Sequence, residues 1–552
     1  MHATHGRRQL IALCTTLTAL AVTMVPAMAA ASPSASGASN GDGTVVSIRD
    51  GDLRGATTSS GFAFLGVPYA APPVGELRWR PPQPAARWQG PRDATQFGGH
   101  CPQPGSPFGT ESSTEDCLYL NVYTPNGKVT QEKNGKTKLK QAKRLPVLVW
   151  MHGGALVVGE SDEYDPTRLV ERGAVVVTLN YRLGFLGFLA HPALSAGSPD
   201  SSSGNYGLMD QQAALRWVQR NIKKFGGDPD NVMIFGESAG GLSVHAHLAS
   251  PLSAGLFERA IAQSGAYSPR EPSLADAETK GLALAHQMGC GEDQTEACLR
   301  SIPIETLLAS QPQLPGEIGP NVDGRVLTQP INAALESGQF NRVPVVEGTT
   351  HDEFRLFAFT NIESVFGPLP PFFYPIAVPL LVSTLGLDAD ASAVMAQYPL
   401  SEHGSVILAL SAIGTDAIFA CPARRTTQAL AEHTPTYQYE FNDQNAPQLF
   451  VPQGSFPYGA YHASEVQYLF DVPDQQNAPD LNTAQQQLAS AMVGYWSQFA
   501  RAGDPNAGGL PQWPAYSPQD ELFMSLEPPT PVVKSGFAAD HNCAFWDANA
   551  GQ

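Results

Sequence analysis

Residues 236–240 read Gly-Glu-Ser-Ala-Gly; they close the apolar run NVMIF at 231–235 and lead into GLSVHA at 241–246, a segment able to open a helix. Strand, sharp turn and helix form the setting in which G-x-S-x-G presents a nucleophile. The glycines allow the tight turn and the close helix, so Ser238 Oγ would project above the sheet. Context decides the matter, because Gly37-Ala38-Ser39-Asn40-Gly41 fits the same pattern with neither strand nor helix around it. A serine hydroxyl is a poor nucleophile at neutral pH. It needs an imidazole to take its proton, and the imidazole needs a carboxylate to hold its tautomer and orientation. Downstream acids at the end of an apolar run (Val343 to Gly348) are Asp352 and Glu353, and carboxyl ends of strands carry sites. Downstream histidines are His351, His403, His433, His462 and His541. The residues alone choose neither between the two acids nor among the histidines.

A second loop supplies the other half of acyl-transfer chemistry. Trp150-Met151-His152-Gly153-Gly154-Ala155-Leu156 follows another apolar run, and consecutive small residues let backbone N–H groups converge on a developing oxyanion. The N–H of Ala239, after the nucleophile, would be a further donor. There is no GxxxxGK[ST], so a phosphate-binding loop is excluded. Glu237, beside the nucleophile, either tunes the field at the imidazole or serves as a core hydrogen-bonding group. His351 with Asp352 and Glu353 makes a poor metal set, since adjacent residues cannot easily all face one ion. His245 and His247, two apart on a helix, point different ways and read as packing residues. His541 and Cys543 have no second Cys/His pair nearby to complete a metal motif.

These residues need a scaffold. Runs at 145–151 (LPVLVWM), 174–180 (AVVVTLN), 231–236 (NVMIFG) and 343–348 (VPVVEG) are almost continuously apolar, as strands covered on both faces are. Residues 208–225 carry a helical stripe of Leu208, Ala214, Leu215, Val218, Ile222 and Phe225, stopped by Gly226-Gly227, with Asp228-Pro229 turning into the next strand. A second amphipathic helix is expected from about Ala484 to Arg501. Thr44–Arg49 and Asp52–Thr57 read as a hairpin, and 131–144 (QEKNGKTKLKQAKR) as a solvated basic loop. The apolar tract 366–385 holds five prolines, which exclude one straight helix; it could line a greasy pocket. The fold class is α/β, in one large domain over 44–552.

Composition narrows the functional classes. The 552 residues carry 33 Lys plus Arg against 51 Asp plus Glu, a formal charge of -18 that a nucleic-acid backbone would repel. Hydrophobic residues at 42% and charged ones at 15% exclude a disordered chain. Arg7 and Arg8, the apolar run Leu10 to Val25 and Ala27-Met28-Ala29 form the three parts of a secretory signal peptide over 1–29, followed by a flexible leader over 30–43. Beyond it, no stretch carries the pattern of a multispan membrane protein. Of the seven cysteines, Cys14 would leave with the signal peptide, and six in an oxidising compartment suggest disulfides. No N-x-[ST] acceptor is present, which fits a bacterial exporter.

The chain resembles the type-B carboxylesterases, the serine esterases that include cholinesterases, related lipases and bacterial para-nitrobenzyl esterases. The resemblance rests on 66–82 (GVPYAAPPVGELRWRPP), 115–122 (EDCLYLNV), 149–155 (VWMHGGA), 177–189 (VTLNYRLGFLGFL), 207–240, 348–353, 461–470 (YHASEVQYLF) and 543–546 (CAFW). It implies an α/β-hydrolase fold: a large, mostly parallel central sheet with helices on both faces and long loops over the active site. The nucleophile would fall on Ser238, the acid on Glu353 and the base on His462. Oxyanion donors would fall on Gly154, Ala155 and Ala239, with Gly153 supporting the turn, and no metal or cofactor is implied. Cys101 would pair with Cys117 and Cys290 with Cys298, leaving Cys421 with Cys543.

The departures matter too. Ala155 replaces the common third glycine of the oxyanion loop, and Leu156 an aromatic. Thr350 and Phe354 stand where the acid motif usually has asparagine and glycine. The Cys101–Cys117 loop is short and lacks tryptophan, which argues against choline esters. The expected function is a secreted or periplasmic serine esterase acting on a small-molecule ester of short-to-medium acyl or aryl type. A lipase, feruloyl-type or polyester-directed enzyme is the alternative. A noncatalytic, cholinesterase-like binding protein is a further one, against which Ser238, Glu353 and His462 all stand. No nucleic-acid partner and no stable membrane span are expected, and a monomer suffices.

Overall fold

The computed structural model describes residues 44–549 apart from 132–136, 141–142, 268–270, 292–294, 312–317 and 473–478. The signal peptide and leader expected over 1–43 lie outside the described residues. One eleven-stranded sheet takes strands from both ends of this range. In chain order they are β1 (Ala56–Thr57), β2 (Gly61–Pro68), β3 (Tyr119–Pro125), β4 (Leu145–Met151), β5 (Val175–Leu179), β6 (Gly227–Glu237), β7 (Arg259–Gln263), β8 (Val345–Thr350), β9 (Thr436–Phe441), β10 (Phe523–Leu526) and β11 (Val532–Lys534). Across the sheet the order is β11-β10-β9-β8-β7-β6-β4-β5-β3-β2-β1. The run from β10 to β5 is parallel, and antiparallel pairs flank it on both sides.

Strand pleating explains the apolar runs. Val147, Val149 and Met151 of β4 join one core, with Val232 and Ile234 of β6; Leu148 and Trp150 join the other, with Met233 and Phe235. Successive side chains face opposite layers, so a strand covered twice has no polar position to spare. Helix α1 (Tyr206–Asn221) covers the first face with the expected stripe, all of it buried. Its last turn, Ile222–Phe225, tightens to a 3-10 helix before Gly226 in the left-handed region. Helix α2 (Ala239–Ala249) lies on the same face. Helix α3 (Thr483–Ala502), with an Asn482–Gln485 capping box, covers the opposite face through Leu488, Met492, Trp496 and Phe499.

Several local expectations change. The Asp228-Pro229 turn is an irregularity inside β6, where the register with β4 shifts between Gly227 and Val232. Strand β8 begins after Pro344, whose missing N–H suits a strand start. Part of the segment read as a solvated loop forms a ladder, Lys128–Gln131 against Thr137–Lys140. The hairpin pairs over Val45–Ser47 and Asp52–Arg54, while Ala56–Thr57 leaves it to edge the main sheet. The proline-rich tract is broken as expected, yet a helix forms across Pro379 over Tyr374–Thr384. Among the described residues, one helix, Val406–Ala431, is long and apolar enough to cross a membrane; 72% of its most apolar window is buried inside the protein, as in a core helix, so no clear membrane span stands against the expectation. It belongs to a helical layer whose own core includes Phe354, Val378, Leu410, Ile413 and Phe419. Disulfides join Cys101–Cys117, Cys290–Cys298 and Cys421–Cys543.

Candidate active site

The chain runs from β4 outward to β5 and then returns to β6 on the other side of β4. Such a reversal opens a crevice at the carboxyl ends of the two strands that part. Met151 stands opposite Gly236, so the loops that leave β4 and β6 emerge side by side. A Cβ on Gly240 would lie 1.9 Å from the Met151 carbonyl oxygen, and only glycine lets α2 start this close to β4. Ser238 occupies the turn at φ 56 and ψ -122, outside the regions an L-residue prefers. Its N–H donates to the Gln263 carbonyl at 2.9 Å, and its carbonyl accepts from Leu242 N at 2.9 Å. The strained turn leaves Ser238 half-buried, while Glu237, Glu353 and His462 are buried.

Of the two candidate acids, Asp352 reaches the adjacent His351, at 3.1 Å, whereas Glu353 reaches His462. Its Oε2 lies 2.5 Å from His462 Nδ1. Its Oε1 accepts from Ser264 Oγ at 2.6 Å, Thr349 Oγ1 at 2.5 Å and Thr350 N at 2.8 Å. Asp352 turns away, to Arg355 at 2.7 Å and to the Ala460 N–H at 3.0 Å. The other histidines have separate partners: His245 with Glu347 at 2.7 Å, His247 with Gln211 at 2.9 Å, and His541 between Asp416 and Glu440. At the nucleophile end the arrangement is open. His462 Nε2 has no hydrogen-bond partner and lies 3.2 Å from Glu237 Oε1, and the Ser238 side chain is hydrogen-bonded with Tyr267. Hydrogen bonds of this kind are often loose without substrate.

Burial opposes charge on Glu353, but His462 and the Ser264 and Thr349 hydroxyls outweigh it and hold the carboxyl below its ordinary range. For His462, burial works against the charged ring, and Glu237 and Glu353 outweigh it, pushing it up to about 9. Burial pushes Glu237 up to about 8 and Glu465 up to about 7. Glu237 Oε1 lies 3.2 Å from His462 Nε2 with no hydrogen bond between them, and its charge, when ionised, favours the charged ring. Only the neutral ring can act as a base, so its raised value delays the base form to alkaline pH. The kcat/KM of ester hydrolysis is therefore expected to climb between about pH 7 and 9, above the ordinary histidine value of about 6.5. Glu237→Gln removes one of the charges that hold the proton and is expected to move this limb toward neutral pH. A limb at or below 6.5 in the parent, unmoved by the substitution, would contradict this.

The loop after β4 is fixed from beneath. Tyr181 Oη donates to the His152 carbonyl at 2.7 Å, and the two rings stack 4.4 Å apart. Burial pushes His152 down to about 4, so the ring is neutral. The Gly154 carbonyl accepts from Val157 and Val158 N–H groups at 3.0 Å each. Gly154 and Ala155 take φ 94 and φ 55, so the alanine bears a left-handed backbone that the more common glycine would hold at lower cost. A Cβ on Gly153 would stand 3.1 Å from Ser238 Cβ, which sets this turn against the nucleophile.

Sequence reasoning missed several groups here. Ser264 lies 89 residues before Glu353 and reaches it only because Gln263 pairs with Gly348 across β7 and β8. Gln263 donates to Glu465 Oε1 at 3.1 Å; that glutamate, three residues after His462, was the one partner with a local signal. Phe357 and Phe419 flank the His462 ring at 5.0 and 5.1 Å, and Tyr267 packs on Phe419 at 5.6 Å. No periodicity marked these rings, which come from the helical layer and from a loop.

The sequence model of the Carboxylesterase family matches residues 42–546. The para-nitrobenzyl esterase of Bacillus subtilis (strain 168) is 34% identical over 510 residues, covering 88% of this chain and 94% of its own. The fumonisin B1 esterase of Sphingopyxis macrogoltabida is 34% identical, covering 83% of this chain and 82% of its own. The cocaine esterase of Homo sapiens is also 34% identical, covering 88% and 86%.

Proposed function

The chain belongs to the carboxylesterase family and is a carboxylic-ester hydrolase with an α/β-hydrolase fold, and we propose that it works through an acyl-enzyme on Ser238, with His462 as base and Glu353 as the acid that orients it. The observation that carries this reading is the buried 2.5 Å Glu353–His462 pair beside a half-buried serine in a strained turn. As Ser238 Oγ leaves Tyr267 and attacks the ester carbonyl, His462 Nε2 takes its proton. The oxyanion settles against the N–H groups of Gly154, Ala155 and Ala239, with Gly153 shaping the turn. His462 then protonates the departing alcohol, and water activated by the same ring releases the acid. Glu353 stays ionised throughout. Three disulfides support a chain exported to an oxidising compartment.

The aromatic rings of Phe357, Phe419 and Tyr267 near the base favour short-to-medium acyl or aryl esters. Initial rates on para-nitrophenyl esters from acetate to palmitate test this, with a maximum expected between C2 and C6. A maximum at C10 or beyond would replace it with the lipase reading; exposed Val365, Phe372 and Ile376 would then be the surface to mutate. Failure of the folded protein to turn over any member of the series would overturn the short-chain reading.

A further inference from the structure

Away from the crevice, a second group of ionisable side chains meets where the ends of β8 and β9 approach the short helix α4 (Phe537–Asp540). His351 follows β8, Glu440 sits in β9, and Asp540 closes α4 with His541 next to it. Ligand atoms of His351, Asp540 and His541 all lie within 4.8 Å of one another. The two histidines are held alike. Nδ1 of His351 faces Asp352 Oδ1 at 3.1 Å, and Nδ1 of His541 faces Asp416 Oδ1 at 2.7 Å. Each leaves its Nε2 toward a further carboxylate, His351 toward Asp540 Oδ2 at 3.5 Å and His541 toward Glu440 Oε1 at 2.6 Å.

Those supporting carboxylates are themselves fixed. Asp416 accepts from Tyr398 Oη at 2.7 Å and Asn542 Nδ2 at 3.1 Å; Asp352 pairs with Arg355 and accepts from Ala460 N. Glu440 accepts from Asn442 Nδ2 at 2.6 Å. A cavity of about 750 Å³ opens onto the group, lined by His351, Glu440, Asn442, Gln444, Lys534 and Asp540 among others.

We propose that His351, Asp540 and His541, joined by Glu440, bind one transition-metal dication of the Zn²⁺ class. A carboxylate on Nδ1, with Nε2 turned toward the other ligands, is how histidines are oriented and made basic for a metal. Two imidazoles with carboxylates suit Zn²⁺, whereas Ca²⁺ and Mg²⁺ take oxygen sets. Charge points the same way: Asp352, Asp416, Glu440 and Asp540 outnumber the cations beside them, Arg355 and Lys534. Of His351, Asp352 and Glu353, the first alone joins the set; the further ligands come from 440, 540 and 541. The ion would clamp the carboxyl-terminal segment to the end of β8, two residues from Glu353.

A second His–carboxylate group serves as the internal control. His100 faces Glu160 through Nδ1 and Asp162 through Nε2 at 2.9 Å each, so this group offers one imidazole where the proposed site offers two. The test is calorimetric titration of the chelator-treated full chain with ZnCl₂. One Zn²⁺ per chain is expected, with affinity at least about tenfold weaker in His351→Ala and in Asp540→Asn and unchanged in His100→Ala. Zn²⁺ should raise the Tm of the parent and not of the first two variants, whose para-nitrophenyl acetate hydrolysis reports that they fold. Should His351→Ala fail to fold, the exposed Asp540 carries the comparison. No Zn²⁺ heat from folded parent protein, equal affinity in parent and Asp540→Asn, or a loss in His100→Ala alone would overturn the site.

Discussion

Ser238→Ala is expected to lower kcat for ester hydrolysis by on the order of 10⁵–10⁶ while leaving the fold in place. Ser238 holds the turn through backbone bonds to Gln263 and Leu242, which alanine keeps, and its side-chain contact is with Tyr267. Alanine meets the same backbone strain at φ 56 as serine does. What is lost is the atom that becomes acylated: Ser264 and Thr349 are committed to Glu353, and burial holds the Tyr267 phenol well above its ordinary range, which makes it a poor nucleophile. The residual rate would reflect the backbone donors and substrate binding alone. Steady-state kinetics with a thermal melt on the same sample check this. More than about one percent of parental kcat in a variant with the parental Tm would be incompatible with the proposed nucleophile.

Glu353→Gln is expected to cost about 10⁴ in kcat, again with little change in fold. The amide nearly matches the carboxylate in shape and its oxygen can still accept from Ser264, Thr349 and Thr350 N. Its NH₂ group, however, would face His462 Nδ1 and donate to it, which forces the ring proton onto Nε2. The imidazole then presents an N–H to Ser238 where a lone pair is needed, and the charge that stabilises the imidazolium is gone. Asp352→Asn is the matched control. Asp352 is buried and adjacent in sequence, but it serves Arg355 and the Ala460 N–H, so its loss should leave turnover within a small factor. If Asp352→Asn proves the more damaging to kcat, the assignment of the acid is wrong.

Much of this was legible in the sequence because the signals were local. The apolar runs of β4, β5, β6 and β8 encode double burial directly, and the stripe of α1 is fixed by neighbours three and four residues apart. G-x-S-x-G announced its turn because a tight strand-to-helix connection demands small residues at set offsets. Glu353 and His462 were different. Nothing local separates Glu353 from Asp352, or His462 from four other histidines; the choice rested on resemblance to a family, and the 2.5 Å contact supports it. Ser264 and Gln263 depend on register between β7 and β8, which no single strand records. The helical layer from Phe354 onward was read only as a proline-broken apolar tract, since its helices bury their stripes against each other rather than against the sheet. Likewise His351 and His541 become one group only through the approach of α4 to β8.

The central claim is that ester cleavage passes through a covalent acyl group on Ser238. A para-nitrophenyl ester mixed with the protein, quenched within the first turnover and analysed by peptide mass spectrometry reads this directly. The account predicts an initial burst of close to one equivalent of para-nitrophenol and the mass of one acyl group on the peptide that contains Ser238, both absent in Ser238→Ala. Turnover at the parental rate with that peptide unmodified, or with the acyl group on another residue, would contradict it.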